Sequence, residues 1–280
     1  MPNVRRMAVV ALAAAVLLLA GCMLLPGKFG SEMTVRADGT FAFAYKGDIH
    51  LVALSKLAAE AKHDEAMGEF TPSACFDEDT IEERPCTKEE LAQQRADWEQ
   101  AKAAGNGKAK DDAEMMKALL GGIDPADPRA AEEFAARLRR QVGWRSVIDK
   151  GDGRFEVDFA ITGRLDHDFS FPTVERMPIV SPFVTAIRRA DGTVRVEAPA
   201  FAAGAGGAPM MGVMGAMAKS DPRAEGLPDL DGTFTLVTDG EILANNTDEG
   251  PQPGTTGKRL SWRVDARTTA APSALIKLGR

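Results

Sequence analysis

An Asp-Gly pair set between two alternating runs constrains this chain most. Met33, Val35 and Ala37 lead into Asp38-Gly39, and Phe41, Phe43 and Tyr45 lead out. Successive side chains on a strand point to opposite faces, and Asp-Gly suits the tight turns that join antiparallel strands. The sequence therefore predicts a hairpin with its aromatic face turned inward and Thr40, Ala42, Ala44 and Lys46 outward. Ile49 to Ala61 then reads as a strand end running into a helix, with Leu51, Leu54, Leu57 and Ala58 at helical spacing. The two-residue rhythm returns at Phe155, Val157, Phe159 and Ile161, and continues through Leu165, His167, Phe169 and Phe171. It recurs on both sides of Asp191-Gly192, ahead of Asp239-Gly240, at Leu260, Trp262 and Val264, and in a last strand from Ala274 to Leu278. Arg36-Ala-Asp-Gly-Thr40 reappears as Arg189-Ala-Asp-Gly-Thr193, which reads as one turn chemistry used twice.

One stretch breaks the rhythm. From His63 the chain becomes polar and charged. Thr87 followed by Glu90 is a capping box, so a helix is expected to start there and run to about Ala104, with Gly105-Asn106-Gly107 as its stop. A second helix is expected from Asp111 to Leu120. A third opens at Asp127-Pro128, with Phe134, Leu138 and Val142 on one stripe. The expected fold is α+β: an antiparallel β-sheet body over residues 31–280, with a helical insertion at about 63–148.

The first residues carry a different message. Arg5 and Arg6 precede an unbroken apolar run of 14 residues, Met7 to Ala20, and then Gly21-Cys22. A spanning helix needs about 20 residues, so residues 1–21 read as a cleaved signal peptide rather than a permanent span. Leu19-Ala20-Gly21-Cys22 resembles the lipobox of bacterial lipoproteins. The resemblance implies that the Cys22 thiol takes a diacylglycerol, that cleavage falls before Cys22, and that the new amino group is acylated, with palmitate among such chains. Met23, rather than Asp, follows the cysteine, which in Gram-negative lipoproteins favours the outer membrane facing the periplasm. Residues 22–30, with Pro26, Gly27 and Gly30, read as a lipidated tether.

Cleavage leaves 280 − 21 = 259 residues, enough for a substantial core. Two of the 34 basic residues leave with the signal and no acidic residue does, so the mature charge is 32 − 41 = −9. An acidic body argues against a nucleic-acid partner. Cys75 and Cys86 remain as a pair in an oxidising compartment, where a disulfide is the expectation; a metal-holding thiol pair is the rival, and no C-x-x-C spacing supports it.

Two clusters invite a chemical reading. Met210, Met211, Met214 and Met217 are soft thioether ligands suited to Cu(I), but no His or Cys neighbours them. Methionine among small residues also makes a pliable apolar surface, so the expectation is an apolar flap over the aromatic face of the sheet, with no metal and no cofactor. In Asp166-His167-Asp168 strand periodicity puts the carboxylates on one face and His167 on the apolar row, which reads as a core histidine. No nucleophile elbow, phosphate loop, dinucleotide fingerprint or zinc-helix motif is present, so an enzyme is not expected.

The tether, the Asp-Gly hairpin, Asp239-Gly-Glu-Ile242, Asn245-Asn246 and Leu260-Ser-Trp262 are together similar to lipoproteins with an LppM-type domain. The similarity covers the first 35 or so mature residues and about the last 60; the insertion and the Gly-Met stretch fall outside it. It implies a β-rich, lipid-associated cell-envelope domain and carries over no catalytic residue. The expected function is non-catalytic: an envelope lipoprotein binding an apolar, lipid-like ligand or an envelope protein partner. Docking through the helical insertion is the alternative, and copper handling by the methionines a weaker one.

Overall fold

The computed structural model describes residues 24–55, 70–76, 83–177, 180–202, 229–254 and 256–279. Cys22, His63, Met210, Met211, Met214 and Met217 lie outside the described residues.

Strands β1 (Leu24–Val35) and β2 (Thr40–Leu51) form the hairpin. The insertion holds β3 (Cys75–Phe76), β4 (Glu83–Arg84), α1 (Lys88–Leu119) and α2 (Ala130–Arg139). Next come β5 (Trp144–Asp149), β6 (Arg154–Arg164), β7 (Phe169–Phe171), β8 (Val184–Arg188) and β9 (Thr193–Glu197). The chain closes with β10 (Asp231–Thr238), β11 (Glu241–Asn245), β12 (Gln252–Gly254), β13 (Gly257–Asp265) and β14 (Ser273–Lys277). The class is α+β. A seven-stranded sheet, ordered β12-β13-β10-β1-β2-β6-β5, packs against a five-stranded sheet, ordered β11-β14-β9-β8-β7.

The alternation explains the sandwich. Phe29, Met33 and Val35 from β1, and Phe43 and Tyr45 from β2, are buried on one face of the large sheet. Phe171, Phe183, Val194, Val196 and Ile276 supply the opposing layer. Phe171 sits among rings from both sheets: Phe43 at 5.0 Å, Tyr45 at 5.2 Å and Phe159 at 4.7 Å between centroids. The aromatic face expected beneath a Gly-Met flap is therefore covered by a second sheet. Strands with their own buried faces must bury them against something, and the nearest unpaired apolar surface is that of β1 and β2.

The repeated pentapeptide folds the same way twice. Arg36 N–H donates to Thr40 O at 2.8 Å, and Arg189 N–H to Thr193 O at 2.8 Å. In each, an Asp carboxylate accepts from the Thr amide and hydroxyl, at 2.8 and 2.7 Å for Asp38, and at 2.9 and 2.7 Å for Asp191. Gly39 and Gly192 take φ of +83° and +79°, the left-handed position that closes a three-residue turn with a bulge. The Thr hydrogen bonds hold both Asp carboxyls below the usual carboxylate range.

Four expectations need correction. The body is not wholly antiparallel, because β1 pairs with β10 in parallel, Lys28 opposite Asp231 through Val35 opposite Thr238. The tether read at residues 22–30 is strand from Leu24 onward, with Leu24 1% exposed and Phe29 8% exposed. Its Pro and Gly mark a register shift between Pro26 and Phe29, where proline and glycine are tolerated in a sheet. Helix α1 runs unbroken through Gly105 and Gly107 for 32 residues. Each glycine costs about 1 kcal/mol against alanine, which the Ala and Lys on both sides offset, and no proline forces a stop. Finally, the insertion ends before Trp144, where β5 joins the sheet beside β6, and Val142 is 83% exposed beyond the end of α2.

Helix α2 covers the part of the large sheet near the start of β6. Phe134 meets Phe155 at 5.0 Å, and Arg139 Nε donates to Val147 O at 3.2 Å. Arg137, 6% exposed, donates to Leu120 O at 3.1 Å and Gly121 O at 3.2 Å, so one guanidinium satisfies carbonyls left over at the end of α1.

Candidate functional site

The first described element, β1, starts at Leu24, two positions after Cys22 in the sequence. Leu24 pairs with Leu51, Leu25 with His50 and Pro26 with Ile49, so this strand end is fully laddered to β2. Leu51 N–H in turn donates to Gly153 O at 2.8 Å, and Ser55 Oγ donates to Asp152 O at 2.7 Å. That knits the β5–β6 turn to the same end. His50 lies over Gly27, where a Cβ would fall 2.9 Å from Nε2. The ring is half-buried; burial lowers its pKa, with Asp48 opposing and Arg154 adding to the shift. Tyr45 is fully buried and donates to Asp48 O at 2.8 Å, and burial pushes its hydroxyl up.

The insertion forms a second feature. Cys75 and Cys86 are joined, S–S 2.07 Å, and β3 pairs with β4 across the bridge. Helix α1 begins on this unit. Thr87 caps it and Glu90 reaches back to the Thr87 amide at 2.8 Å. Arg84 grips Glu90 with two nitrogens, at 2.6 and 2.9 Å. That contact, with the Thr87 amide, holds the Glu90 carboxyl down to about 2. Gln94 completes the lock: its Oε1 accepts from Ser73 N–H at 2.9 Å and its Nε2 donates to Ser73 O at 3.3 Å. Cys75, Cys86 and Glu90 form a grouping dense enough for a metal among the described residues, but both sulfurs are spent in the disulfide and offer no thiolate.

Reduction of Cys75–Cys86 is expected to free this unit without unfolding the sandwich. The bridge closes a loop of 11 residues, which the loop-entropy relation values at about 3 kcal/mol. Among the described residues its hydrogen bonds run to α1, not to the paired sheets. Hydrogen exchange should then speed up in residues 83–100 and stay slow in β1, β2 and β10. Equal loss of protection in the sheets would show that the insertion is part of the core's cooperative unit.

Asp166, His167 and Asp168 sit in the turn between β6 and β7, all exposed. His167 is therefore not a core histidine: β7 begins only at Phe169, and the turn takes the triplet out of the alternating row. The two carboxylates flank Arg188, Asp166 at 3.9 Å from its guanidinium and Asp168 accepting from its amide at 3.3 Å. Sequence reasoning assigned neither Arg188 nor Arg137 a role, and only the basic last turn of α2 hinted at the second.

A shallow groove of about 290 Å³ runs beside Arg189, Arg195, Asn245, Asn246 and Ser273. Both of its asparagines and Arg195 are already engaged, Asn245 Oδ1 by the Thr247 amide and hydroxyl at 3.1 and 2.6 Å. Asn246 Oδ1 accepts from Trp262 Nε1 and from Ser273 N–H, each at 2.9 Å, and its Nδ2 donates to Ala271 O at 2.8 Å. Asn246 thus ties the large sheet to the small one. Arg195 pairs with Glu197.

Among the described residues no helix is long and apolar enough to cross a membrane. No family model matches the chain, and no curated protein matches it. It is similar to the NMR structure of the folded domain of LppM from Mycobacterium tuberculosis, at 10% identity over 91% of this chain and 92% of that one, with a TM-score of 0.31.

Proposed function

We propose that this chain is a cell-envelope lipoprotein, held to its membrane by lipid on Cys22, that works by binding a protein partner rather than by catalysis. The observation that carries the reading is the basic start, apolar run and Leu19-Ala20-Gly21-Cys22, followed within two residues by a folded strand. Met23 after the cysteine supports the outer membrane, facing the periplasm. One acyl chain binds a membrane only marginally; thiol-linked diacylglycerol with an amino-terminal chain gives a stable anchor.

The layer between the sheets is filled by rings among the described residues, which supports an external partner over an enclosed apolar ligand. The early turns of α1 favour the insertion as the docking element. From Lys88 to Gln100 only Glu90, Leu91, Gln94 and Trp98 are half-buried, and the rest face solvent. Neither His50, lying over Gly27, nor the exposed His167 is bonded to another side chain among the described residues, which supports binding over acid–base chemistry.

Expression of Cys22→Ser in a bacterial host fed an alkyne-tagged fatty acid tests the anchor. The wild-type chain is expected to take the label and sediment with membranes, and the variant to take no label and to be left unprocessed or soluble. A processed variant that still sediments with membranes contradicts the reading.

A further inference from the structure

Among the described residues, the end of the sandwich where the sequence leads in from Cys22 is formed by the start of β1, the end of β2 with residues 52–55, and the β5–β6 turn at Lys150 to Gly153. The opposite end carries the two repeated turns: Gly279 N–H donates to Ala37 O at 2.9 Å and Leu278 N–H to Gly192 O at 3.2 Å. Two residues of fully extended chain reach about 7 Å at most. The headgroup layer of one leaflet is roughly 5–7 Å deep, the difference between the full bilayer and its hydrocarbon core shared over two sides. A lipid on Cys22 therefore leaves no slack between headgroups and fold. Leu24 is laddered to Leu51 and 1% exposed, so the strand cannot peel back to lend length without breaking its pairing.

We propose that this end of the sandwich rests directly on the lipid surface, fixing the domain's pose with β1 and β2 rising from the membrane and the Asp38-Gly39 and Asp191-Gly192 turns farthest from it. This rests on the lipid-anchor reading above. Lys150 pairs with Glu156 at 2.9 Å and Arg154 with Asp48 at 3.7 Å, which offsets part of the acidic charge at this end. Ile148, 48% exposed, adds apolar area at the edge strand. A consequence is that α2, packed over Phe155 at the start of β6, lies in the membrane-proximal half.

The test uses full-length, lipidated protein, purified in detergent and reconstituted into phosphatidylethanolamine–phosphatidylglycerol vesicles containing a headgroup spin-labelled lipid. Cys22 is consumed by lipid and Cys75–Cys86 by the disulfide, so a single introduced cysteine takes a fluorophore cleanly. Lys150→Cys probes the near end and Ala190→Cys, in an exposed turn, the far end. The near probe is expected to lose most of its fluorescence to the spin label and the far probe to keep it. A flexible Gly-Ser insert of about 20 residues between Met23 and Leu24 spans roughly 25 Å and should release the near probe while flotation with vesicles persists. Flotation with equal quenching at both ends, or quenching that survives the insert, overturns the imposed pose and leaves the anchor standing. Loss of flotation by the lipidated wild-type chain overturns both.

Discussion

Phe171→Ala is expected to lower the unfolding free energy by about 3–5 kcal/mol, the range for a large aromatic removed from a core that cannot collapse around the gap. Phe171 is 1% exposed and its ring meets Phe43, Tyr45, Trp144, Phe159 and Phe183, so the hole opens between the two sheets. Rings held by neighbours on both sides cannot move inward together. Phe76, 53% exposed on the small insertion hairpin, is the control, and Phe76→Ala should change stability by no more than about 0.5 kcal/mol. Urea unfolding followed by tryptophan fluorescence reads both through the midpoint at constant slope. Similar midpoints for the two variants would mean that the sheets do not share one aromatic core.

Gly47→Ala is the second large effect, at about 3 kcal/mol or more. Gly47 has φ of +151°, in backbone space that glycine alone visits freely. It faces the register shift in β1, and a Cβ there would fall 2.2 Å from Lys28 O and 2.6 Å from Phe29 Cα. Both are backbone atoms, so relief requires the bulge to open, which moves Phe29 off Phe201, now 4.2 Å away. Gly192→Ala separates conformation from contact. Its φ is +79° but nothing lies within 4 Å of the added carbon, so only the left-handed strain of about 1–2 kcal/mol remains. A Gly47→Ala cost no larger than that of Gly192→Ala would show that the bulge yields easily.

The hairpin, the repeated turns and the strands around Phe155, Phe234 and Trp262 were legible because period and turn chemistry are local. Assignment of strands to sheets was not. Alternation says which face of β8 or β14 is buried, not against what, and β11 follows β10 through Asp239-Gly240 yet belongs to the other sheet. The β1–β10 pair joins residues about 200 apart in sequence, beyond any window that reads periodicity. Leu24 to Gly30 looked like a linker because Pro26, Gly27 and Gly30 are linker residues. Here Gly27 makes room for His50 and the prolyl residue sits at the bulge. The capping box at Thr87 set only the start of α1, and its end was set by Gly121 and Gly122 after the last turn. Of the candidate site, Leu19-Ala20-Gly21-Cys22 is read from the sequence alone, outside the described residues, while the strand that starts at Leu24 appears only in the structure.

The anchor itself is tested most directly by mass spectrometry of the amino-terminal peptide from detergent-extracted, membrane-associated protein. The account predicts a chain that begins at Cys22, with diacylglycerol on its sulfur and a blocked amino group. A chain that begins elsewhere, or a Cys22 with a free thiol, would contradict it.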